Sequence, residues 1–273
     1  MRRQTRSWVT IRREKGVGVM ANFIWYELLT DDAIAAQDFY ARLIGWQVGD
    51  SGMPGIDYRI LATPEGEAIG GVMQRPPRSP GGPVWLGYLP VVDVDESVEA
   101  IVEDGGQVLM PAWTMVGVGR MALVTDPLGA PFYLMAAESD QPSRAFVEHG
   151  TGESTGHVVW NERIASDPDR ALAFFGRHFG WVHQGGMPMG ELGEYRFIAD
   201  GPVVLGALMG CPPGGTPGWR FYFAVADIDA AAARVTELGG TIEHGPVEIP
   251  GGDFSMSALD PQGARFGLVG RRK

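Results

Sequence analysis

The sequence predicts an α+β protein of two homologous domains in tandem, and two observations carry that prediction. The phrase FYARLIGW at 39–46 returns as FFGRHFGW at 174–181, and DPLGAPF at 126–132 returns as DPQGARF at 260–266. Around them Trp25 and Glu27 correspond to Trp160 and Glu162, Asp32 to Asp167, YRIL (58–61) to YRFI (195–198), and the Gly-Gly of 105–106 to that of 239–240. A chain of 273 residues has room for two ordinary domains, and a repeat of this length assigns one copy to each. The repeat sets the borders at 22–136 and 157–270. A basic N-terminal extension at 1–21 and a polar linker containing Gly and Pro at 137–156 fall outside the copies.

Each copy opens with a strand, FIWYELL in the first. Asp32 is then placed to cap a helix whose apolar residues Ala36, Phe39, Tyr40, Leu43 and Ile44 recur at helical spacing until Gly45 ends it. In the second copy Asp167-Pro168 supplies the cap and a first-turn proline, and Ala171, Phe174, Phe175, His178 and Phe179 fill the same face. Strands around YRILAT and AIGGVM follow, then a Pro/Gly-rich joint, after which the pattern restarts. A strand WLGYLPVV leads to a helix from about Asp95 to Asp104 stopped by Gly-Gly, and strands QVLM, RMALVTD and PFYLMA close the copy. Each domain is therefore strand, helix and strands, written twice.

Charge narrows the function classes. The net charge is −11, but six of the 22 basic residues and one of the 33 acidic residues lie within 1–19, which leaves the remainder at −16. Such a body repels nucleic acid and anionic lipid and favours neutral or cationic ligands. No window reaches the ~18 uninterrupted apolar residues of a membrane helix. The basic head has no apolar core of a secretory signal, and Met20 reads as an alternative start. The lone Cys211 permits no intrachain disulfide and suits a reducing cytoplasm.

The strand–helix opening with FYARLIGW, the GGVM strand, the V-x-D-x-D helix start at 91–95 and the closing DPLGAPFYLM, each matched in the second copy, resemble the vicinal oxygen chelate superfamily of glyoxalase I, extradiol dioxygenases and bleomycin-resistance proteins. The resemblance covers nearly all of 22–270 and implies two tandem domains, each of two βαβββ modules forming a cup-shaped sheet. It also implies a divalent metal held at four points by His, Gln or Glu. Carried onto this chain, those points fall on Trp25, Gly70-Gly71, Leu86 and Tyr133 in one copy, and on Trp160, Gly206-Ala207, Arg220 and Gly267 in the other. None is a usual ligand for such an ion, and Arg would repel one. No metal and no cofactor are expected.

Strand alternation puts Phe23, Trp25 and Glu27 on one face, and Val158, Trp160 and Glu162 on one face. The ligand-binding candidates are Trp25, Glu27, Tyr88 and Tyr133 in the first copy and Trp160, Glu162, Arg220 and Tyr222 in the second, where Gly267 in place of Tyr133 suggests more room. Each Trp reads equally as core, each Glu as a satisfied buried acid, and Arg220 with Glu162 as an internal ion pair. Among the five histidines, His178 occupies the helix-face slot of Leu43 and reads as a packed imidazole. The expected protein is a cytoplasmic glyoxalase-like binder of a small organic molecule, aromatic or cationic, with no nucleic-acid or membrane partner and compatible with a homodimer. The alternative is a lyase, hydroxylase or dioxygenase-type enzyme using Glu27 or Glu162 for proton transfer, or an unrecognised metal site.

Overall fold

A computed structural model describes residues 21–53, 55–77, 79, 81–150 and 154–273. The expectations for residues 1–20 lie outside the described residues. Ala21, assigned above to the extension, belongs to the fold: it is buried, and its backbone N–H donates to Asp200 at 2.6 Å.

The first repeat runs β1 (Trp25–Thr30), α1 (Ala33–Ile44), β2 (Gln47–Asp50), β3 (Tyr58–Ala62), β4 (Ala68–Gln74), β5 (Val84–Pro90), α2 (Val94–Glu103), β6 (Gln107–Met115), β7 (Gly119–Thr125) and β8 (Pro131–Ala137). The second runs β9 (Val158–Ala165), α3 (Pro168–Phe179), β10 (Val182–Pro188), β11 (Glu194–Asp200), β12 (Val203–Gly210), β13 (Gly218–Val225), α4 (Ile228–Glu237), β14 (Thr241–Glu248), β15 (Phe254–Leu259) and β16 (Arg265–Gly270). Strand order is β2-β3-β4-β1-β5-β8-β7-β6 in one eight-stranded sheet and β10-β11-β12-β9-β13-β16-β15-β14 in the other. The two tandem α+β domains expected from the repeat are therefore present, each with one mixed sheet.

The caps form as their chemistry requires. The Asp32 carboxylate accepts from Ala35 N–H and that of Asp167 from Arg170 N–H, while Gly45 and Gly180 end their helices in the left-handed region at φ 91° and 74°. The short helix of the second module starts at Val94 behind Asp93, one residue ahead of the expected Asp95. Strands β2 and β10 carry no signal of their own, because both are exposed edge strands with no buried face to enforce alternation.

Side-chain packing follows a different division. Among the described residues, one compact unit gathers 21–23, Tyr88–Gln141 and Arg163–Trp219, and the other gathers Ile24–Gly87, Pro142–Glu162 and Arg220–Lys273. Each joins the opening module of one repeat to the closing module of the other. In the first unit Phe132 of β8 meets Phe175 of α3 at 5.7 Å, and Phe175 stacks on Trp181 at 4.9 Å and meets Trp219 edge-on at 5.3 Å. In the second unit the counterparts repeat the cage, with Tyr40 of α1 against Phe266 of β16 at 5.4 Å, Trp46 at 5.8 Å and Trp85 at 5.3 Å. The tryptophan ending each repeated phrase donates to a backbone carbonyl just ahead of a repeat's first strand, Trp46 to Gly156 at 2.7 Å and Trp181 to Ala21 at 2.5 Å.

The connecting segment is exposed over 137–144, after which Ala145 and Phe146 are buried and Phe146 bridges to Val158.

The two DP-x-GA turns bury an acid each. Asp126 accepts from Leu128 and Ala130 N–H with one oxygen, and Asp260 does the same with Gln262 and Ala264. The second oxygen of Asp260 accepts from the Tyr40 hydroxyl at 3.2 Å, whereas that of Asp126 accepts from Arg163 at 2.9 and 2.7 Å, both side chains being fully buried. Arg163 stands where the first repeat has Leu28, and Phe175 where it has Tyr40. Replacing Arg163 by Leu strands a buried carboxylate and should cost about 3–5 kcal/mol in denaturant unfolding. Adding Phe175→Tyr, which recreates the second unit's arrangement, should recover part of that loss; no recovery would reject the equivalence.

His178 packs on the Phe174 ring at 4.5 Å and its Nε2 lies 3.0 Å from Asp104, which also pairs with Arg177. Burial, only partly offset by Asp104, lowers the His178 pKa below its usual 6.5. The unfolded chain therefore binds the proton first, and the stability His178 contributes is complete above about pH 6.5 and lost as pH falls through the folded value. The variant His178→Leu should show a smaller fall in melting temperature between about pH 7.5 and 5.5 than the parent protein.

Candidate functional site

The second repeat brings four of its predicted residues together. Trp160 and Glu162 come from β9, Arg220 and Tyr222 from β13. Arg220 Nη1 donates to Glu162 Oε1 at 3.2 Å, and the Tyr222 hydroxyl lies 3.4 and 3.3 Å from the two Glu162 oxygens. Trp160 packs against the cluster of Val159, Tyr222, Ala224 and Val269. Two residues absent from the sequence expectation complete the network. Arg220 Nη2 donates to Glu243 on β14 at 3.3 Å, and Arg265 on β16 lies 3.5 Å from the other Glu243 oxygen.

The result is a file of alternating charge leading outward. Side-chain exposure rises from 5% at Glu162 through 16% at Arg220 and 27% at Glu243 to 37% at Arg265. Burial, reinforced by the Glu162 carboxylate, pushes the Tyr222 hydroxyl far above the usual phenol range, so it remains a donor. Burial opposes charge on Arg220, yet Tyr222 and Glu162 outweigh it and raise its pKa further.

Comparing the copies position by position reveals the signal for Glu243 and Arg265. GGQVL at 105–109 matches GGTIE at 239–243, WLGY at 85–88 matches WRFY at 219–222, and PFY at 131–133 matches RFG at 265–267. Thus Leu86, Leu109, Pro131 and Tyr133 in the first copy become Arg220, Glu243, Arg265 and Gly267 in the second. Leu86 is buried whereas Leu109 is exposed and Pro131 half-buried, and their three charged counterparts in the second copy lie in one contact network.

The expectation that Gly267 leaves spare room is corrected. Tyr222 pairs with Gly267 across β13 and β16, and its ring lies over the glycine so closely that a Cβ there would stand 2.2 Å from Cδ1. The missing side chain makes a bed for Tyr222 and opens no cavity.

The first-copy candidates form two separate groupings. Trp25 is half-buried and donates through Nε1 to the Tyr58 hydroxyl at 2.7 Å, a partner not foreseen, while Glu27 is buried opposite Gly71 in the β1–β4 register. The Tyr58 ring covers Gly71, where a Cβ would meet it at 2.3 Å. Tyr88 and Tyr133, in the other compact unit, are buried and stacked face to face at 4.1 Å with 17° between planes, and Trp113 meets Tyr133 at 6.1 Å.

The positions at which the resemblance places metal ligands do not fit a divalent ion. Leu86 is buried, Gly71 and Gly267 lie beneath aromatic rings, and Arg220 is a cation already paired with carboxylates. Among the described residues no group of three or more His, Cys, Asp or Glu could hold one.

Among the described residues no helix is long and apolar enough to cross a membrane. A family model described as Glyoxalase/Bleomycin resistance protein/Dioxygenase superfamily matches residues 22–134 and 154–268. A Mycobacterium tuberculosis protein, CFP32, whose name as a glyoxylase is provisional, is 38% identical over 90% of this chain and 93% of its own length. The anthracycline biosynthesis protein DauV of Streptomyces sp. is 30% identical over 91% of this chain and 93% of its own. Among solved structures, homoprotocatechuate 2,3-dioxygenase from Arthrobacter globiformis superposes at TM-score 0.63 with 19% identity, covering 92% of this chain and 80% of that one. The 2,3-dioxygenase LapB of Pseudomonas sp. KL28 superposes at 0.60 with 13% identity, covering 93% and 94%. At these identities the structures establish the fold alone.

Replacing Gly267 by Ala should displace the Tyr222 ring and cost about 1–3 kcal/mol, the usual scale of overpacking. Combining it with Tyr222→Ala removes the clash, so the double variant should lose less in urea unfolding than the two single losses together. Full additivity would reject the contact.

Proposed function

The chain belongs to the glyoxalase/bleomycin resistance protein/dioxygenase superfamily, and on that premise we propose that it binds a small organic molecule, without the family's metal, on the β9–β13–β14–β16 face of its second repeat. The observation carrying this reading is the looseness of the charge network. Its links stand at 3.2–3.5 Å, whereas the fully buried pair of Asp126 with Arg163 closes to 2.7 and 2.9 Å. Charge-assisted hydrogen bonds settle near ~2.7–2.9 Å when nothing else competes. The partly exposed members, Arg220 and Glu243, are the ones a polar ligand can reach, and half-buried Trp160 lies on the same strand as Glu162 and supplies flat apolar surface.

Relatives named for glyoxylase and for anthracycline biosynthesis support a small organic molecule as the ligand class. A general-base role for Glu162 is the weaker reading. Arg220 and Tyr222 direct donors at its oxygens, which is the opposite of what a proton acceptor needs.

Titration with a panel of aromatic small molecules, followed by tryptophan fluorescence, should give saturable quenching. Arg220→Leu should weaken that binding by roughly 2–5 kcal/mol, the scale of stranding a buried charge partner, while Leu86→Val at the counterpart position should change it by less than about 1 kcal/mol. Equal losses from the two variants, or losses from Leu86→Val alone, would reject the assignment to the second repeat.

A further inference from the structure

The order of the network by depth identifies which of its members a ligand can replace. Glu162, the innermost, is buried and accepts from both Arg220 and Tyr222. Glu243 lies nearer solvent and divides its two oxygens between two cations, Oε2 to Arg220 at 3.3 Å and Oε1 to Arg265 at 3.5 Å. If Glu243 releases Arg220, its charge is still met by Arg265. If Glu162 released Arg220, a carboxylate far from solvent would give up its guanidinium. The replaceable partner of Arg220 is therefore Glu243.

We propose that the second-repeat face is an anion-exchange site, in which the carboxylate of an aromatic organic acid takes the Nη2 side of Arg220 in place of Glu243, and Arg265 retains the displaced glutamate. This rests on the reading of that face as the binding site and adds the charge class of the ligand. The exchange keeps Arg220 between two carboxylates, Glu162 and that of the ligand, and leaves Glu243 facing Arg265, so the cluster of two acids and two arginines takes up the single negative charge of the ligand. It also accounts for Arg265, which stands 3.5 Å from Glu243 in a position the first repeat gives to Pro131. Trp160, half-buried against the Tyr222 cluster, favours an aromatic ring on that acid. The net charge of −11 opposes anions at long range, so selection depends on the local guanidinium.

The test compares three probes of one shape and different charge, 1-naphthoate, 1-naphthamide and 1-naphthylmethylammonium, by calorimetric titration and by the Trp160 indole resonance. Glu243 and Arg265 are partly exposed, so Glu243→Gln and Arg265→Gln should fold normally. Naphthoate is expected to bind the parent protein more tightly than the amide, at least about fivefold more tightly to Glu243→Gln, and at least about twofold more weakly to Arg265→Gln, where Glu243 is left to Arg220 alone. Indifference of naphthoate to both substitutions would overturn the exchange. A preference for the ammonium probe, abolished by Glu243→Gln, would overturn it while leaving a binding site on this face. If none of the three probes moves the Trp160 resonance, the exchange and the binding face both fail.

Discussion

A buried carboxylate that closes a turn needs a donor for its second oxygen, and that requirement organises this molecule twice. Asp126 and Asp260 each use one oxygen to cap the DP-x-GA turn that starts a final strand. The other oxygen faces the opening module of the opposite repeat, which must answer it. The repeats answer differently: a helix tyrosine, Tyr40, serves Asp260, and a strand arginine, Arg163, serves Asp126. Each unit uses one of the two. Where the strand offers Leu28 the helix offers Tyr40, and where the strand offers Arg163 the helix offers Phe175. Because donor and acceptor lie in different repeats, the pairing also couples the two copies, so neither compact unit is encoded by one continuous stretch.

The same contrast separates a structural ion pair from one available for chemistry. Arg163 and Asp126 are fully buried, short and saturated, with Arg163 also donating to the Ile164 carbonyl. The file from Glu162 to Arg265 is graded in exposure and long at each link. Both would be counted as salt bridges, but only the second can exchange a partner without abandoning a charge in the interior.

The sequence made the repeat, the helix caps and the aromatic helix faces legible, since each depends on local spacing and each recurs. It also made Glu162, Arg220 and Tyr222 legible as neighbours, because strand alternation and the family pattern put them on one sheet. What it hid has specific causes. Edge strands β2 and β10 have no buried face to produce alternation. Arg163 lies next to a residue singled out for its chemistry, and its partner Asp126 is 37 positions away in a motif that reads as a turn. The space at Gly267 could not be judged from the missing side chain, because a neighbour on the adjacent strand fills it. Glu243 and Arg265 were visible only by asking where the copies disagree, whereas the repeat draws attention to where they agree.

That disagreement bears on how a site of this fold can work without a metal. In the first copy the positions that would hold an ion are occupied by Trp25, tied to Tyr58, by Gly71 beneath the Tyr58 ring, and by apolar Leu86. In the second, Arg220 occupies one such position and Tyr222 covers another. A guanidinium fixed between carboxylates can orient an oxygen anion, as a metal would, but it offers no vacant coordination position. In the proposed site, arginine therefore keeps recognition of an oxygen anion while surrendering Lewis-acid activation of the kind a bound metal supplies. Duplication permits this, because the aromatic cages and buried acids maintain both units whichever copy carries the ligand.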